Sequence, residues 1–137
     1  MNNLENLTLK TLEQLNKLND EQILKIIEIK KINEKSLLAI LLEENMLEEE
    51  IFFEILSDIY RRGHTDIDEI STSLQIDQKR FIQYVCDKFK ITFFDLDDID
   101  IDYRISEKLS TSQLKSYNAI PVKEDEISVY VAFKNPF

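Results

Sequence analysis

Few side chains in this chain could do chemistry, and their spacing limits what they can do. Asp95, Asp97, Asp98, Asp100 and Asp102 crowd into one short acidic run. A calcium loop needs alternating oxygen ligands, a glycine for its sharp turn and a closing bidentate glutamate. Counting from Asp98 gives D-x-D-x-D, but Tyr103 occupies the glycine position and Leu109 that of the glutamate. The run therefore reads as a solvated acidic turn. Carboxylate pairs for hydrolysis can be drawn from it, yet nothing in the sequence sets their separation. His64 and Cys86 are the only residues of their kinds. A metal site built on them would lack its other soft ligands, and a Cys–His nucleophile would lack an orienting third group. Cys86 adjoins the apolar pair Tyr84 and Val85 and reads as packing, whereas His64 follows Gly63 and reads as a loop residue. Gly63 is the single glycine, followed by His64-Thr65. A Walker A loop needs two glycines and then a lysine, so that backbone N–H groups can approach the phosphates. No catalytic, metal or cofactor site is expected, and the chain is expected not to be an enzyme.

Composition narrows the class. The chain has 137 residues, 43% hydrophobic and 32% charged, a globular mix sized for one domain or two small subdomains. No apolar run approaches the ~18 residues that cross a bilayer, and Met1-Asn2-Asn3-Leu4-Glu5 does not resemble a secretion signal. A lone cysteine cannot form an internal disulfide, which points to a cytoplasmic protein. The formal net charge of −10 argues against nucleic acid and anionic membrane as partners, since both reward a basic patch. Lys30-Lys31 and Arg61-Arg62 are too small to reverse that. A basic protein surface would be favoured electrostatically.

These residues must be carried by elements, and up to Lys90 the pattern is helical. Helices are expected over about Leu7–Lys17, Asp20–Lys31, Glu34–Glu44, Glu48–Arg61, Asp66–Ser73 and Asp77–Lys90. Asp20, Glu48 and Asp77 stand at helix starts, where a carboxylate can take up free N–H groups. Arg61-Arg62-Gly63 forms a C-terminal stop. A shift of 29 residues superposes Leu9/Leu38/Ile67, Leu12/Leu41/Ile70 and Leu18/Leu47/Ile76, then Ile23/Phe52/Phe81, Ile26/Ile55/Tyr84 and Ile27/Leu56/Val85. Each set lies on one helical face. Three helical hairpins follow, each a short helix, a tight connection and a longer helix. Beyond Ile91 the pattern alternates. Strands are expected at Phe93–Leu96, Asn118–Val122 and Ile127–Phe133, the last two joined by a charged turn. Helices are expected from Asp102 to Leu109 and from Ser110 or Thr111 to Tyr117. The fold class is α+β: an N-terminal bundle of three helical hairpins, the helical repeat subdomain over 1–90, then a small α/β subdomain over 91–137.

One surface candidate remains. The segment Glu48–Arg61 carries an apolar arc wider than a single core-facing stripe. Phe53 and Tyr60 lie on its flank beside Arg61 and Arg62, as an aromatic anchor with an arginine rim for a partner protein. The alternative is burial of this middle repeat on two sides by its neighbours.

The order of motifs after Ile91 resembles a known family. Phe93-Phe94-Asp95-Leu96 leads to Ile101-Asp102, then Ile120-Pro121-Val122, and a last strand closing in Ala132-Phe133-Lys134-Asn135-Pro136. This is similar to the N-terminal domain of the ATPases that power type II secretion and type IV pilus assembly. The resemblance runs from about Leu37 and is most specific from Ile91 onward. It implies that the family's chain continues past Asn135-Pro136 into a further helix and strands, so that the sheet here is truncated. It also implies a non-catalytic adaptor, cytoplasmic and peripheral to the inner membrane. Its implied partners are the cytoplasmic domain of an inner-membrane assembly protein and the remainder of the ATPase chain. Some relatives bind cyclic di-GMP through an R-L-G-x-x-L-x-x-x-G-L-I repeat. Laid over Ser36–Leu47, that pattern keeps Leu37, Leu41 and Leu47 but has Ser36, Leu38 and Asn45 in place of the arginine and two glycines. In the next copy Thr65, Ile67 and Leu74 stand there. Ligand sensing is thus the alternative, with its contact residues replaced.

Overall fold

The computed structural model describes residues 1–93, 119–124, 129–133, 135 and 137. Among them are six helices, α1 (Asn3–Gln14), α2 (Asp20–Ile32), α3 (Leu37–Glu43), α4 (Glu49–Arg61), α5 (Ile67–Leu74) and α6 (Gln78–Phe89), and two strands, β1 (Ala119–Glu124) and β2 (Val129–Phe133). The chain forms two compact units, Met1–Val85 and Cys86–Phe137.

Local hydrogen bonds explain where the helices begin. α1 starts earlier than the apolar pattern suggests because Asn2 and Glu5 form a capping box: Glu5 N–H donates to Asn2 Oδ1 at 2.8 Å and Asn2 N–H to Glu5 Oε1 at 3.1 Å. α2 is capped by Asn19, not by Asp20, through the same reciprocal arrangement with Gln22. Asp20 sits in the first turn, where its charge still suits the helix dipole. Ser36 caps α3, Asp66 caps α5, and Asp77 accepts from Arg80 N–H at 3.0 Å at the start of α6. Glu48 is the N-cap of α4 but makes no side-chain cap bond.

The repeat is visible in the backbone. The residues opening α2, α4 and α6 are Asn19, Glu48 and Asp77, 29 apart each time. α1 and α3 both end with an asparagine in the left-handed region, Asn16 at φ 57° and Asn45 at φ 52°. Behind them Lys17 N–H reaches Leu12 O, and Met46 N–H reaches Leu41 O, each at 2.9 Å. These are Schellman closures, and asparagine supplies the positive φ because glycine is absent. Gln75 takes the same role after α5, at φ 52°. Here the spacing changes. Ser36 to Asp66 and Asn45 to Gln75 are both 30 residues, so Leu37 corresponds to Ile67 and Ile40 to Ile70. The pairs Leu38/Ile67 and Leu41/Ile70 in the uniform register are thus off by one. A connection one residue shorter, Gln75 to Asp77, restores it.

The repeats do not stack as a linear array. α1 packs against α4 and α5, α2 against α3, and α3 against α4. In a solenoid each repeat touches only its neighbours; here the first and third meet, and Asn2 Nδ2 donates to Ser73 O at 2.8 Å between them. The result is a closed helical bundle. Its centre holds Leu12, Ile26, Leu41, Phe52, Leu56, Ile70, Phe81 and Val85, all fully buried. α4 is the most enclosed helix, burying Phe52, Phe53, Ile55, Leu56, Ser57, Ile59 and Tyr60.

In the second unit β1 and β2 pair antiparallel, from Ala119 opposite Phe133 to Glu124 opposite Val129. The register slips between Pro121 and Lys123. A bulge beside a proline fits the missing N–H donor there. Phe89 and Phe137 meet edge-to-face at 5.1 Å. The expected helices between Asp102 and Tyr117, the acidic run from Asp95 and most of the expected first strand lie outside the described residues.

Candidate docking surface

The four residues expected to form a partner patch separate in the structure. Phe53 is buried and meets Phe81 edge-to-face at 5.6 Å, with Tyr84 at 5.7 Å on the same ring. Tyr60 is also buried, 6.0 Å from Phe81 in a second edge-to-face contact. Such pairs add about 0.5–1.5 kcal/mol beyond the area they bury. Both aromatics therefore belong to the seam where α6 covers α4, not to an open face. Arg61 and Arg62 are exposed at the C-terminal end of α4. A signal for this was present in the sequence: Phe81 and Tyr84 stand three apart on α6, spaced to cover the flank of the preceding long helix.

Beside this seam the surface is acidic. Tyr84 is half-buried, and its phenol is pushed above the usual tyrosine range by burial first, then by the carboxylates of Glu54, Glu50 and Asp58. These three carboxylates recur every four residues along α4, one helical face. Arg80 Nη2 reaches Glu49 Oε2 at 2.7 Å and closes one end.

One charge pair, unlike the exposed Arg80–Glu49 contact, is largely buried, and the sequence alone does not reveal it. Lys30 Nζ meets Glu5 Oε2 at 2.8 Å with both side chains largely out of solvent. Lys30 also donates to Lys35 O at 2.9 Å. The pair ties the start of α1 to the end of α2. The capping-box spacing Asn2-x-x-Glu5 was legible, but not that Glu5 would also hold a lysine from the next helix.

Two open depressions lie at the interhelix turns. One, of about 740 Å³, is lined by Asn16, Lys17, Leu42, Asn45, Met46 and Ile51 among others. The other, of about 510 Å³, shares Asn16 and Lys17. Of the cyclic-dinucleotide pattern positions, Ser36 spends its hydroxyl oxygen on the cap to Ala39 N–H, at 3.1 Å. Leu38 is half-buried, and Asn45 has a positive φ of 52°.

The remaining candidates are apart. His64 is exposed in the turn after α4. Cys86 is buried, and its thiol is pushed up by burial and then by Asp87. Among the described residues no group of three His, Cys, Asp or Glu side chains could hold a metal ion. Nor is any described helix long and apolar enough to cross a membrane.

Comparison with curated proteins and with solved structures gave no match. A family model matches roughly the last third of the chain, starting in the last turn of α6. Residues 89–137 match the MshEN domain, an N-terminal domain of type II secretion and type IV pilus ATPases, the family that the motif order from Phe93 onward resembles.

Proposed function

We propose that the chain is a non-catalytic N-terminal adaptor of a type II secretion or type IV pilus-type ATPase. It would dock the motor onto the cytoplasmic domain of an inner-membrane assembly protein. The observation that carries this reading is the MshEN match over residues 89–137, preceded by a closed helical bundle. In this role the bundle is the handle, and the rest of the ATPase chain is the second partner. The site of action is cytoplasmic, peripheral to the inner membrane through the protein partner and without nucleic acid. The chain's single glycine supports the absence of a phosphate-binding loop, so the hydrolytic engine belongs to another part of the parent ATPase. With Phe53 and Tyr60 enclosed, contact with the partner falls to exposed groups, with Arg61 and Arg62 as one such pair. The segment after α6, in which β1 and β2 pair, would link the handle to the motor.

A pull-down with the immobilised cytoplasmic domain of the cognate assembly protein tests the reading. Retention of the wild-type chain, with no phosphate release from ATP by the isolated chain, is expected. ATP turnover or failure to bind would count against it. Cyclic di-GMP sensing is the alternative, supported by the depression beside Asn45 and opposed by Ser36 and Leu38 at contact positions. A rise in melting temperature with the dinucleotide would favour it, by ordinary binding linkage.

A further inference from the structure

The repeat register exposes one helix face whose counterpart elsewhere in the bundle is covered. On α4 three members of the stripe Glu49, Phe53, Leu56 and Tyr60 meet side chains of α6, Arg80 pairing with Glu49 and Phe81 meeting both aromatics, and Leu56 is fully buried. Subtracting 29 places Asp20, Leu24, Ile27 and Lys31 at the same positions on α2. There the stripe is open. Leu24 is 62% exposed, Ile27 is half-exposed, and Asp20 and Lys31 are both exposed, with no ion pair recorded for either among the described residues.

The spacing of these four residues is four, three, four, which is the alternating seam of a two-helix coiled coil. It is also palindromic. When two copies of α2 run antiparallel about a two-fold axis, Asp20 faces Lys31 of the second copy and Leu24 faces its Ile27, and each pairing occurs twice. An isologous interface requires this self-complementarity. The intramolecular precedent has the same chemistry, with a basic side chain opposite the acidic first turn and apolar groups between. The acidic start and basic end of α2 also make the antiparallel arrangement favourable for the two helix dipoles. A parallel pairing would set Asp20 against Asp20 and Lys31 against Lys31.

We propose that the outer face of α2 is a homodimer seam, in which Asp20, Leu24, Ile27 and Lys31 pair antiparallel with the same residues of a second copy. The seam is short, so the dimer is weak, and the −10 charge on each copy opposes it at low salt. The inference does not depend on the docking role proposed above.

Sedimentation velocity on the full 137-residue chain, between about 10 µM and 1 mM, is the test. The wild type is expected to shift from monomer to dimer across that range. Leu24→Asp, Asp20→Lys and Lys31→Asp should each weaken association by about tenfold or more. Mixing the Asp20→Lys and Lys31→Asp chains should restore a dimer, because all four facing charges are then opposite. The double variant Asp20→Lys/Lys31→Asp should dimerise by itself. Recovery in the mixture also shows that the single variants are folded. A wild type monomeric throughout, a dimer indifferent to Leu24→Asp, or variants that fail to complement would each overturn the proposal.

Discussion

Glu5 holds two jobs at the head of the bundle, closing the α1 cap and neutralising the buried Lys30 ammonium. Removing one partner of a buried pair leaves the other charge uncompensated, at about 3–5 kcal/mol in a fully buried setting. Lys30 keeps some solvent contact and a bond to Lys35 O. Glu5→Ala is therefore expected to cost about 2–4 kcal/mol, and Glu5→Gln clearly less because the cap survives. Urea denaturation of the two variants checks the ordering. Tyr84 gives a pH-dependent signature. Its phenol stays neutral in the folded state beyond the ordinary value of 10.0 through burial and the Glu54, Glu50 and Asp58 carboxylates. Above that value the unfolded state releases a proton that the folded state retains. The contribution is thus fully present below about pH 10 and is lost as pH rises through the folded value. Thermal melts from about pH 9 to 11 should show a shallower alkaline loss in Tyr84→Phe than in the wild type. Cys86 and His64 were legible as a packed thiol and a loop imidazole from their neighbours alone. The inward turn of Phe53 and Tyr60 was legible only as an alternative, through the spacing of Phe81 and Tyr84 on α6, because an aromatic flanked by arginines looks the same whether or not another helix covers it.

At the scale of elements, the six helices were legible from apolar spacing, and their ends were less so. The caps Asn2 and Asn19 are polar residues that suit loops equally well, so the apolar pattern alone sets the start of α1 and the cap of α2 too late. The stops were harder still. A chain with one glycine must place other residues in the left-handed region, and Asn16, Asn45, Gln75 and Lys90 do so. The slip from 29 to 30 residues at α5 was hidden because leucines and isoleucines fill adjacent positions in either register. The repeat predicts an engineering gain. Asn19 and Asp77 accept cap bonds at two of the three equivalent helix starts, and Glu48 does not. Shortening that side chain, Glu48→Asp, brings its carboxylate within reach of the free amides. A stabilisation of about 0.5–1 kcal/mol is expected, read as a higher urea midpoint at unchanged slope.

Across the whole molecule, the helical unit and the β1–β2 unit have different standing. The bundle of hairpins expected from the repeat is explained by its own packing, whereas the pattern did not specify the contact of α1 with α5 that closes it. The second unit carries the family signal, which rests on the order of short motifs rather than on any helix face. In the docking role proposed above the two units serve recognition, and Arg61 and Arg62 lie exposed at the end of α4. The most direct measurement is a calorimetric titration of the chain with the cytoplasmic domain of the cognate inner-membrane assembly protein. The account predicts saturable one-to-one binding that weakens when Arg61 and Arg62 are both changed to glutamate. A folded wild-type chain that gives no binding heat at several temperatures, or whose only saturable ligand is a nucleotide, would contradict it.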